Sequence, residues 1–401
     1  MKAVVFHDIG DIRLDDVPEP KIEEPTDAII RITASAICGT DLHFIRGTIG
    51  GVKKGTILGH EAVGIIEALG SDVRNLQIGD RVVVPSTIAC GNCVYCRSGY
   101  YAQCDNANPH GKTAGTAFFG GPESSGAFNG LQAEKARIPF ANIGLIKLPS
   151  EITDDQAILL SDIFPTGYFG AKMAEITPGD TVAVFGCGPV GQFAIASAKL
   201  LGAARVFAID KLPDRLLMAR AQGAETINFE EEDPVSTLQR MTNGIGVDRA
   251  IDAVGIDAEH THQRDQQSSE MLENFREEVN EIAPVTAPDG KNWHPGDGPS
   301  QVLYWAVKAL AKAGTLSIIG VYSEKSCNFP IGIAMGKNLT INVGNCHHRK
   351  YIPTLIELVL SGRINPSKIL TNIEPMCDAI EALKAFDRRD RGWIKVELRP
   401  A

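Results

Sequence analysis

Four of the nine cysteines in the chain lie within 15 residues of one another. They are Cys90, Cys93, Cys96 and Cys104. Cysteine thiolates spaced in this way can share one ion, and four of them complete the tetrahedral shell of zinc. Four incidental buried cysteines are the alternative, which such dense spacing disfavours. Because a closed shell has no position for a substrate, the pattern predicts a structural zinc ion that holds a loop in place.

A weaker metal signal lies upstream, where Cys38 and His60 are 22 residues apart. A thiolate and an imidazole are both common zinc ligands. A small buried cysteine and an ordinary hydrogen-bonded histidine are equally common in protein interiors, so this pair alone leaves both interpretations open.

A glycine-rich turn follows the continuous apolar run at 181–185. It contains Gly186, Gly188 and Gly191, with Pro189 at the start of a predicted helix. Glycines in this context permit a tight turn, a close approach of backbone to pyrophosphate, and close packing of helix on strand. The helix N-terminus also favours the phosphate charge. The pattern therefore predicts a dinucleotide site.

Asp210 ends the next predicted strand, 19 residues after Gly191. A carboxylate at this position can accept hydrogen bonds from both ribose hydroxyls and would repel a 2′-phosphate, so NAD is favoured over NADP. Lys211 and Arg215 lie nearby in the sequence and act against this preference. We count Arg215 among the candidate cofactor-binding residues.

The chain has two regions with different residue patterns, and each predicts elements that could position these residues. Residues 1–150 have short apolar segments separated by Gly, Pro and Asp, which predicts an irregular β-rich region. From about residue 155 strands alternate with helices, which predicts a doubly wound parallel sheet. The predicted strands are 181–185, 206–209, 247–251, 316–319 and 339–343, and the predicted helices are 189–201 and 213–222.

An acidic segment at 256–300 interrupts this alternation, with ten acids and three Lys or Arg residues. Leu272, Phe275, Val279 and Ile282 have helical spacing, which predicts an amphipathic helix on the surface. The Pro- and Gly-rich remainder, 283–300, is expected to be a loop.

Composition excludes several partners. The formal net charge is −10, which disfavours nucleic acid and anionic membrane surfaces. No apolar stretch is long enough for a membrane span, and the N-terminal residues are typical of a strand rather than a signal peptide. We therefore expect a cytoplasmic protein.

With these motifs in place, nearly the whole chain resembles the zinc-containing medium-chain alcohol dehydrogenases. The motif Cys38-Gly-Thr40-Asp41-Leu-His43, the triplet Gly59-His60-Glu61, the four-cysteine lobe and the glycine-rich turn all match. The resemblance implies a β-rich GroES-like catalytic domain over 1–163 and 346–401. It also implies a Rossmann domain over 164–345, which contains the acidic insert.

The resemblance also implies a catalytic zinc ion held by Cys38 and His60. Many members of the family use a cysteine as third ligand, whereas this chain has Asp162 in the corresponding segment. An aspartate there is similar to the branch that contains the glutathione-independent formaldehyde dehydrogenases and formaldehyde dismutases. The alternative for Asp162 is an ordinary acid near a helix N-terminus. Two zinc ions per chain are thus expected.

Further roles are carried over by position. Thr40 would accept the substrate proton and His43 would pass it outward. Asp41 would orient the His60 imidazole, and Glu61 would lie behind the metal. Ordinary packing or a solvated charge is the alternative for Thr40 and Glu61.

On the cofactor side, Thr166 and Val190 align with family residues that pack against nicotinamide. Arg349 aligns with an arginine that reaches the pyrophosphate, and a solvated loop charge is its alternative. The neighbouring His347 and His348 receive no role.

These expectations describe an NAD-dependent zinc enzyme that transfers a hydride to or from a small alcohol or aldehyde, and that forms a homodimer or homotetramer. The alternatives are an aldehyde dismutase that retains NAD, a polyol or amino-alcohol dehydrogenase, and a non-catalytic protein that binds NAD and zinc. The presence of Cys38, His60 and Thr40 disfavours the last of these.

Overall fold

The computed structural model describes residues 1–261, 269–326 and 328–400. The chain divides into two compact units. The first unit comprises Met1–Pro165, Val285–His294 and the residues from Cys346 onward, and the second comprises Thr166–Pro284 and Pro295–Asn345. Residues 285–294 thus group with the first unit although they belong to the acidic segment.

The first part of the chain is rich in strands and has only short helices. The strands are β1 (Lys2–Asp8), β2 (Asp11–Asp16), β3 (Ala28–Ile37), β4 (Ala62–Leu69), β5 (Arg81–Val84), β6 (Lys135–Ile138) and β7 (Ile146–Lys147). The helices are α1 (Gly39–Arg46), α2 (Val94–Arg97), α3 (Ala141–Gly144), α4 (Asp154–Ser161) and α5 (Ile163–Met173).

Strands and helices then alternate. The strands are β8 (Thr181–Phe185), β9 (Arg205–Asp210), β10 (Glu225–Asn228), β11 (Val247–Asp252), β12 (Leu310–Ile318) and β13 (Thr340–Val343). The helices are α6 (Pro189–Leu200), α7 (Pro213–Ala221), α8 (Pro234–Met241), α9 (Ser269–Ile282), α10 (Gln301–Ala309) and α11 (Ile331–Gly336). The chain ends with α12 (His348–Leu360), β14 (Asn372–Pro375), α13 (Ala379–Asp387) and β15 (Val396–Arg399).

The first unit is built on a mixed sheet. Within the described residues its strand order is β14-β15-β3-β4-β5-β7, with β6 also paired to β3. β3 and β4 pair antiparallel, and their inward side chains, such as Ile30, Ile32 and Ile66, are buried. Cys90, Cys96 and Cys104 pack against this same core, so the sheet supports the four-cysteine lobe.

The second unit is a parallel sheet in the order β10-β9-β8-β11-β12-β13, counted over the part of the chain that the structure describes. Numbered from β8, this is the order 3-2-1-4-5-6 of a doubly wound nucleotide-binding fold. The predicted fold class is confirmed, and each of the five predicted strands overlaps an observed one, although the prediction 316–319 covers only the end of β12, which begins at Leu310. The sequence analysis missed β10, a four-residue strand at one edge of the sheet.

The acidic segment contains the predicted helix, α9, and buries Phe275 and Ile282. Residues 283–300 form neither helix nor strand, as expected. The loop is nevertheless anchored, because Trp293 is only 1% exposed and packs in the core of the first unit. Among the described residues, no helix has the length and apolar character that crossing a membrane requires.

Candidate metal centres and nucleotide site

The four-cysteine lobe brings its sulfur atoms together as the spacing predicted. All four Sγ atoms lie within 4.8 Å of one another, and those of Cys93 and Cys104 are 3.9 Å apart. Zinc–sulfur bonds of about 2.3 Å in a tetrahedron place sulfur atoms about 3.8 Å apart. The cluster therefore has the size of a zinc–thiolate site.

Burial raises the pKa of Cys96 and of Cys104, whereas Cys93 is more easily ionised. Burial opposes ionisation of Cys93, but backbone amides of Cys96 and Asp105 donate hydrogen bonds to its sulfur and bring its pKa to about 7. The lobe has little core of its own, since Val94, Tyr95 and Tyr100 are exposed. A bound ion would therefore supply the cross-link that packing does not.

A second cluster joins Cys38, His60 and Asp162, all of which are buried. Asp162 Oδ2 lies 3.6 Å from Cys38 Sγ and 3.4 Å from His60 Nε2. Tetrahedral zinc with ordinary bond lengths would separate these ligand pairs by about 3.6 Å and about 3.4 Å. The three side chains thus fit one zinc ion, and three protein ligands leave a fourth position open.

Three separate elements deliver these ligands. Cys38 lies between β3 and α1, and His60 lies just before β4, the antiparallel partner of β3. Asp162 interrupts the helical path between α4 and α5, with φ −140° and ψ −68°. Ser161 fixes this corner because its Oγ accepts a hydrogen bond from the amide of Ala62 at 3.1 Å.

The charges around His60 indicate a site built for a cation. Burial opposes protonation, yet the neighbouring Cys38 and Asp41 raise the pKa of His60 well above its usual value. Burial likewise opposes ionisation of Asp162, but His348 and His60 lower its pKa well below the usual range. Asp162 is thus held as a carboxylate, the form in which it can bind a divalent ion.

Asp41 lies behind His60. Its Oδ2 accepts hydrogen bonds from the Cys38 amide at 3.0 Å and from Gln132 Nε2 at 2.9 Å, which orient the carboxylate. Its Oδ1 lies 3.4 Å from His60 Nδ1, and both atoms are buried with no hydrogen-bond partner among the described residues. A small shift would join them in the carboxylate–histidine pair that commonly supports a metal ligand.

His348 also contacts the metal cluster, which the sequence analysis did not predict. Its Nε2 lies 2.6 Å from Asp162 Oδ1, an oxygen that also accepts a hydrogen bond from Ser86 Oγ at 3.2 Å. Thr87 Oγ1 lies 3.1 Å from His348 Nδ1 and completes the network. No local pattern could have revealed this, because His348 is 186 residues from Asp162.

Glu61 belongs to the same cluster but has a partner of its own. Lys395 Nζ lies 2.6 Å and 2.8 Å from the two Glu61 oxygens, and both side chains are fully buried. Burial raises the pKa of Glu61 to about 7, although Lys395 opposes this shift. Lys395, directly before β15, also donates a hydrogen bond to the Ile37 carbonyl at 3.0 Å, and this bond links it to the end of β3. The sequence analysis missed Lys395.

Thr40 and His43 lie on α1, beside the cluster. Thr40 is half-buried, and its Oγ1 lies 3.8 Å from Cys38 Sγ. His43 is buried, and its Nδ1 lies 2.9 Å from Thr48 Oγ1, which orients the ring.

The glycine-rich turn has the geometry that its sequence requires. Gly186 has φ +86°, and a Cβ on Gly191 would lie 1.8 Å from the Gly186 carbonyl oxygen, so only glycine is compatible there. A Cβ on Gly188 would come no closer than 3.6 Å to a protein atom, so packing within the protein does not itself require glycine there. α6 begins directly afterwards with Pro189. The turn thus fits a pyrophosphate group.

Asp210 lies at the end of β9 beside this turn. Its Oδ2 accepts a hydrogen bond from the Cys187 amide at 2.8 Å, and its Oδ1 accepts one from the Lys211 amide at 2.7 Å. Arg215 approaches within 3.8 Å of Oδ2. The carboxylate is therefore held rigidly next to the glycine-rich turn.

The remaining predicted cofactor residues lie in different units. Thr166 in α5 and Val190 in the first turn of α6 belong to the second unit. Arg349 belongs to the first unit, where it is half-buried in the first turn of α12.

Comparison with known proteins agrees with this geometry. Residues 24–150 match the alcohol dehydrogenase GroES-like domain, and residues 189–265 match the zinc-binding dehydrogenase domain. The chain belongs to the zinc-type alcohol dehydrogenase family, whose members are zinc-dependent oxidoreductases with an NAD-binding Rossmann domain.

Individual relatives extend along the whole chain. It is 38% identical to the zinc-type alcohol dehydrogenase-like protein AdhB of Bacillus subtilis, over 100% of both chains. It is 33% identical to the glutathione-independent formaldehyde dehydrogenase of Pseudomonas aeruginosa, covering 96% of this chain and 94% of that one. The alcohol dehydrogenase TADH from Thermus sp. ATN1 superimposes with a TM-score of 0.81 at 34% identity, over 100% of both chains.

Proposed function

We propose that this protein is an NAD-dependent dehydrogenase that moves a hydride between nicotinamide and the carbon of a small alcohol or aldehyde. The observation that carries the proposal is the convergence of Cys38, His60 and Asp162 at distances suited to one zinc ion. When bound, zinc would polarise the substrate oxygen and NAD would exchange the hydride.

The protein side chains then have to orient the ligands and move one proton. In our proposal Thr40 takes the proton of the substrate hydroxyl, because its own hydroxyl lies beside Cys38 and is half-buried. His43 would carry the proton outward, with its ring oriented by Thr48. Asp41 would orient His60, and Glu61 would set the charge behind the metal.

For the cofactor, we propose that Gly186, Gly188 and Gly191 receive the pyrophosphate and that Asp210 binds the adenosine ribose. The positive φ of Gly186 supports this assignment, as does a glycine at position 188 that packing within the protein does not require. Arg215 lies beside Asp210. Thr166, Val190 and Arg349 remain predicted cofactor contacts.

The second candidate function is an aldehyde dismutase that retains NAD. A relative over nearly the whole chain is a glutathione-independent formaldehyde dehydrogenase, and the aspartate ligand Asp162 points to the same branch. A dismutase in that branch would convert two aldehyde molecules and one water to one acid and one alcohol, with no NAD supplied or released. An assay with an aldehyde alone separates it from a dehydrogenase.

A panel of alcohols, diols and aldehydes, assayed with NAD and with NADP, tests the proposal. We expect turnover with NAD that is lost when a chelator removes zinc and returns when zinc is restored. A protein that binds zinc and NAD but turns over no member of the panel would contradict it.

We also propose a cytoplasmic homo-oligomer. β13 is an edge strand of its sheet, and its Val343 is 69% exposed, as are nearby apolar residues of α11, Ile331 and Met335, at 64% and 78%. An exposed apolar sheet edge favours pairing with a second copy. Light scattering on the eluting protein would distinguish a dimer or tetramer from a monomer.

A further inference from the structure

The acidic segment contributes a carboxylate next to the proposed nucleotide site. Glu259 forms an ion pair with Lys211, the residue that directly follows Asp210. Both side chains are 21% exposed, so the pair is accessible to a bound nucleotide yet largely shielded from bulk water.

Hydrogen bonds between the two ends of the acidic segment, residues 256–300, fix the residues on either side of Glu259. The Ala258 carbonyl accepts a hydrogen bond from the Gly298 amide at 3.0 Å, and Asp297 Oδ1 accepts one from the His260 amide at 3.0 Å. The His260 ring stacks on Phe275 of α9 at a centroid distance of 6.2 Å. The flanking residues are therefore fixed before any nucleotide binds.

Two ion pairs determine the net charge beside the proposed nucleotide site. Asp210 faces Arg215, and Lys211 faces Glu259, so the four side chains together carry no net charge. Without Glu259 the group would carry one positive charge, and a free lysine ammonium beside the ribose position would attract a 2′-phosphate. Nucleotide sites that accept NADP commonly use a nearby basic residue in this way.

We propose that Glu259 is a specificity-determining residue, which neutralises Lys211 and so prevents it from recruiting the 2′-phosphate of NADP. The proposal rests on the nucleotide site proposed above and assigns a function to the acidic segment. Without Glu259, the positive charge of Lys211 would offset the repulsion between Asp210 and a 2′-phosphate. The ion pair with Glu259 removes the attraction of Lys211 for that phosphate.

Direct binding of NAD and NADP to the full-length protein tests this. Glu259→Gln should lower the Kd for NADP about three- to tenfold, the size expected for one partly shielded charge, and change the Kd for NAD less than about twofold. The matched control is Glu273→Gln, which removes the same charge from an exposed position on α9. It should change neither affinity by more than about twofold.

The double variant Glu259→Gln with Lys211→Gln should return the NADP affinity to about the wild-type value, because the gain depends on the lysine. The proposal is overturned if Glu259→Gln gains no NADP affinity, if the control gains as much, or if the gain persists in the double variant. If the melting curve of Glu259→Gln shows that this variant does not fold, Glu259→Ala, which removes the same charge, is used instead. Since the readout is nucleotide affinity, the result holds whether or not alcohol oxidation is found.

Discussion

His348 Nε2 lies 2.6 Å from Asp162 Oδ1, and this contact leaves Asp162 Oδ2 directed toward Cys38 and His60. Ser86 shares the same oxygen, and Thr87 holds the opposite side of the imidazole. The carboxylate thus has one oxygen for its supports and one for a metal. We infer that His348 is a positioning residue for the third zinc ligand.

His348→Leu removes this support, and supports of this kind typically contribute about 10- to 100-fold to metal affinity. We expect a competing chelator to remove zinc from the Cys38 site of this variant at a correspondingly lower concentration than in the wild type. The zinc of the four-cysteine lobe should stay bound. His348→Gln keeps a donor and should lose less. Equal zinc retention by wild type and His348→Leu would refute the positioning role.

Asp162→Ala should reduce the zinc content from two ions per chain to about one, since the open site would keep only two protein ligands. Elemental analysis measures the content, and circular dichroism checks the fold. Asp155→Ala, at a half-buried acid in the first turn of α4, is the control and should keep both ions. If Asp162→Ala also keeps both, Asp162 is not a ligand.

Thr40→Ala should bind zinc and NAD normally but oxidise alcohols at least about 10²-fold more slowly, because the substrate proton loses its first acceptor. Thr40→Ser keeps the hydroxyl and should remain active. His43→Ala should lose less, and added external base should restore part of its rate. Full activity of Thr40→Ala would rule out this proton path and make Glu61 the next candidate base.

Asp210→Ala should shift nucleotide preference toward NADP, because the repulsion of a 2′-phosphate is removed while Lys211 and Arg215 remain. The ratio of kcat/KM for NAD and NADP is the measurement. A wild-type enzyme that already prefers NADP would show that our interpretation of Asp210 is wrong.

Asp387 supports the loop after α9. It pairs with Arg46 at 2.7 Å and accepts a hydrogen bond from the Trp293 amide at 2.8 Å. Asp387→Ala would remove a buried ion-pair partner of Arg46, and breaking such a buried pair typically costs about 3–5 kcal/mol. We expect a clearly lower Tm.

The control for this loss is Asp390→Ala, which breaks the partly exposed pair with Arg388 and should cost no more than about 1 kcal/mol. Similar melting temperatures for the two variants would argue against a stabilising role of the buried pair.

Local patterns in the sequence were sufficient to predict the glycine-rich turn, the clustering of the four cysteines and the alternating elements of the second unit. The turn from Gly186 to Gly191 is specified by residues a few positions apart, because backbone freedom at glycine and the apolar strand before it act locally. The four cysteines form a site within 15 residues for the same reason. The alternating strands and helices of the second unit were predictable because their periodicity reflects burial on the sheet.

The sequence by itself determined the fold class, the four-cysteine lobe and the glycine-rich turn, because each depends on neighbours along the chain. Only the tertiary structure decided which side chains support the ligands and balance the charges. His348 reaches Asp162, Lys395 reaches Glu61 and Glu259 reaches Lys211 across 186, 334 and 48 positions. Such contacts have no periodicity or spacing that a sequence could display, since they arise only when packing brings distant elements together.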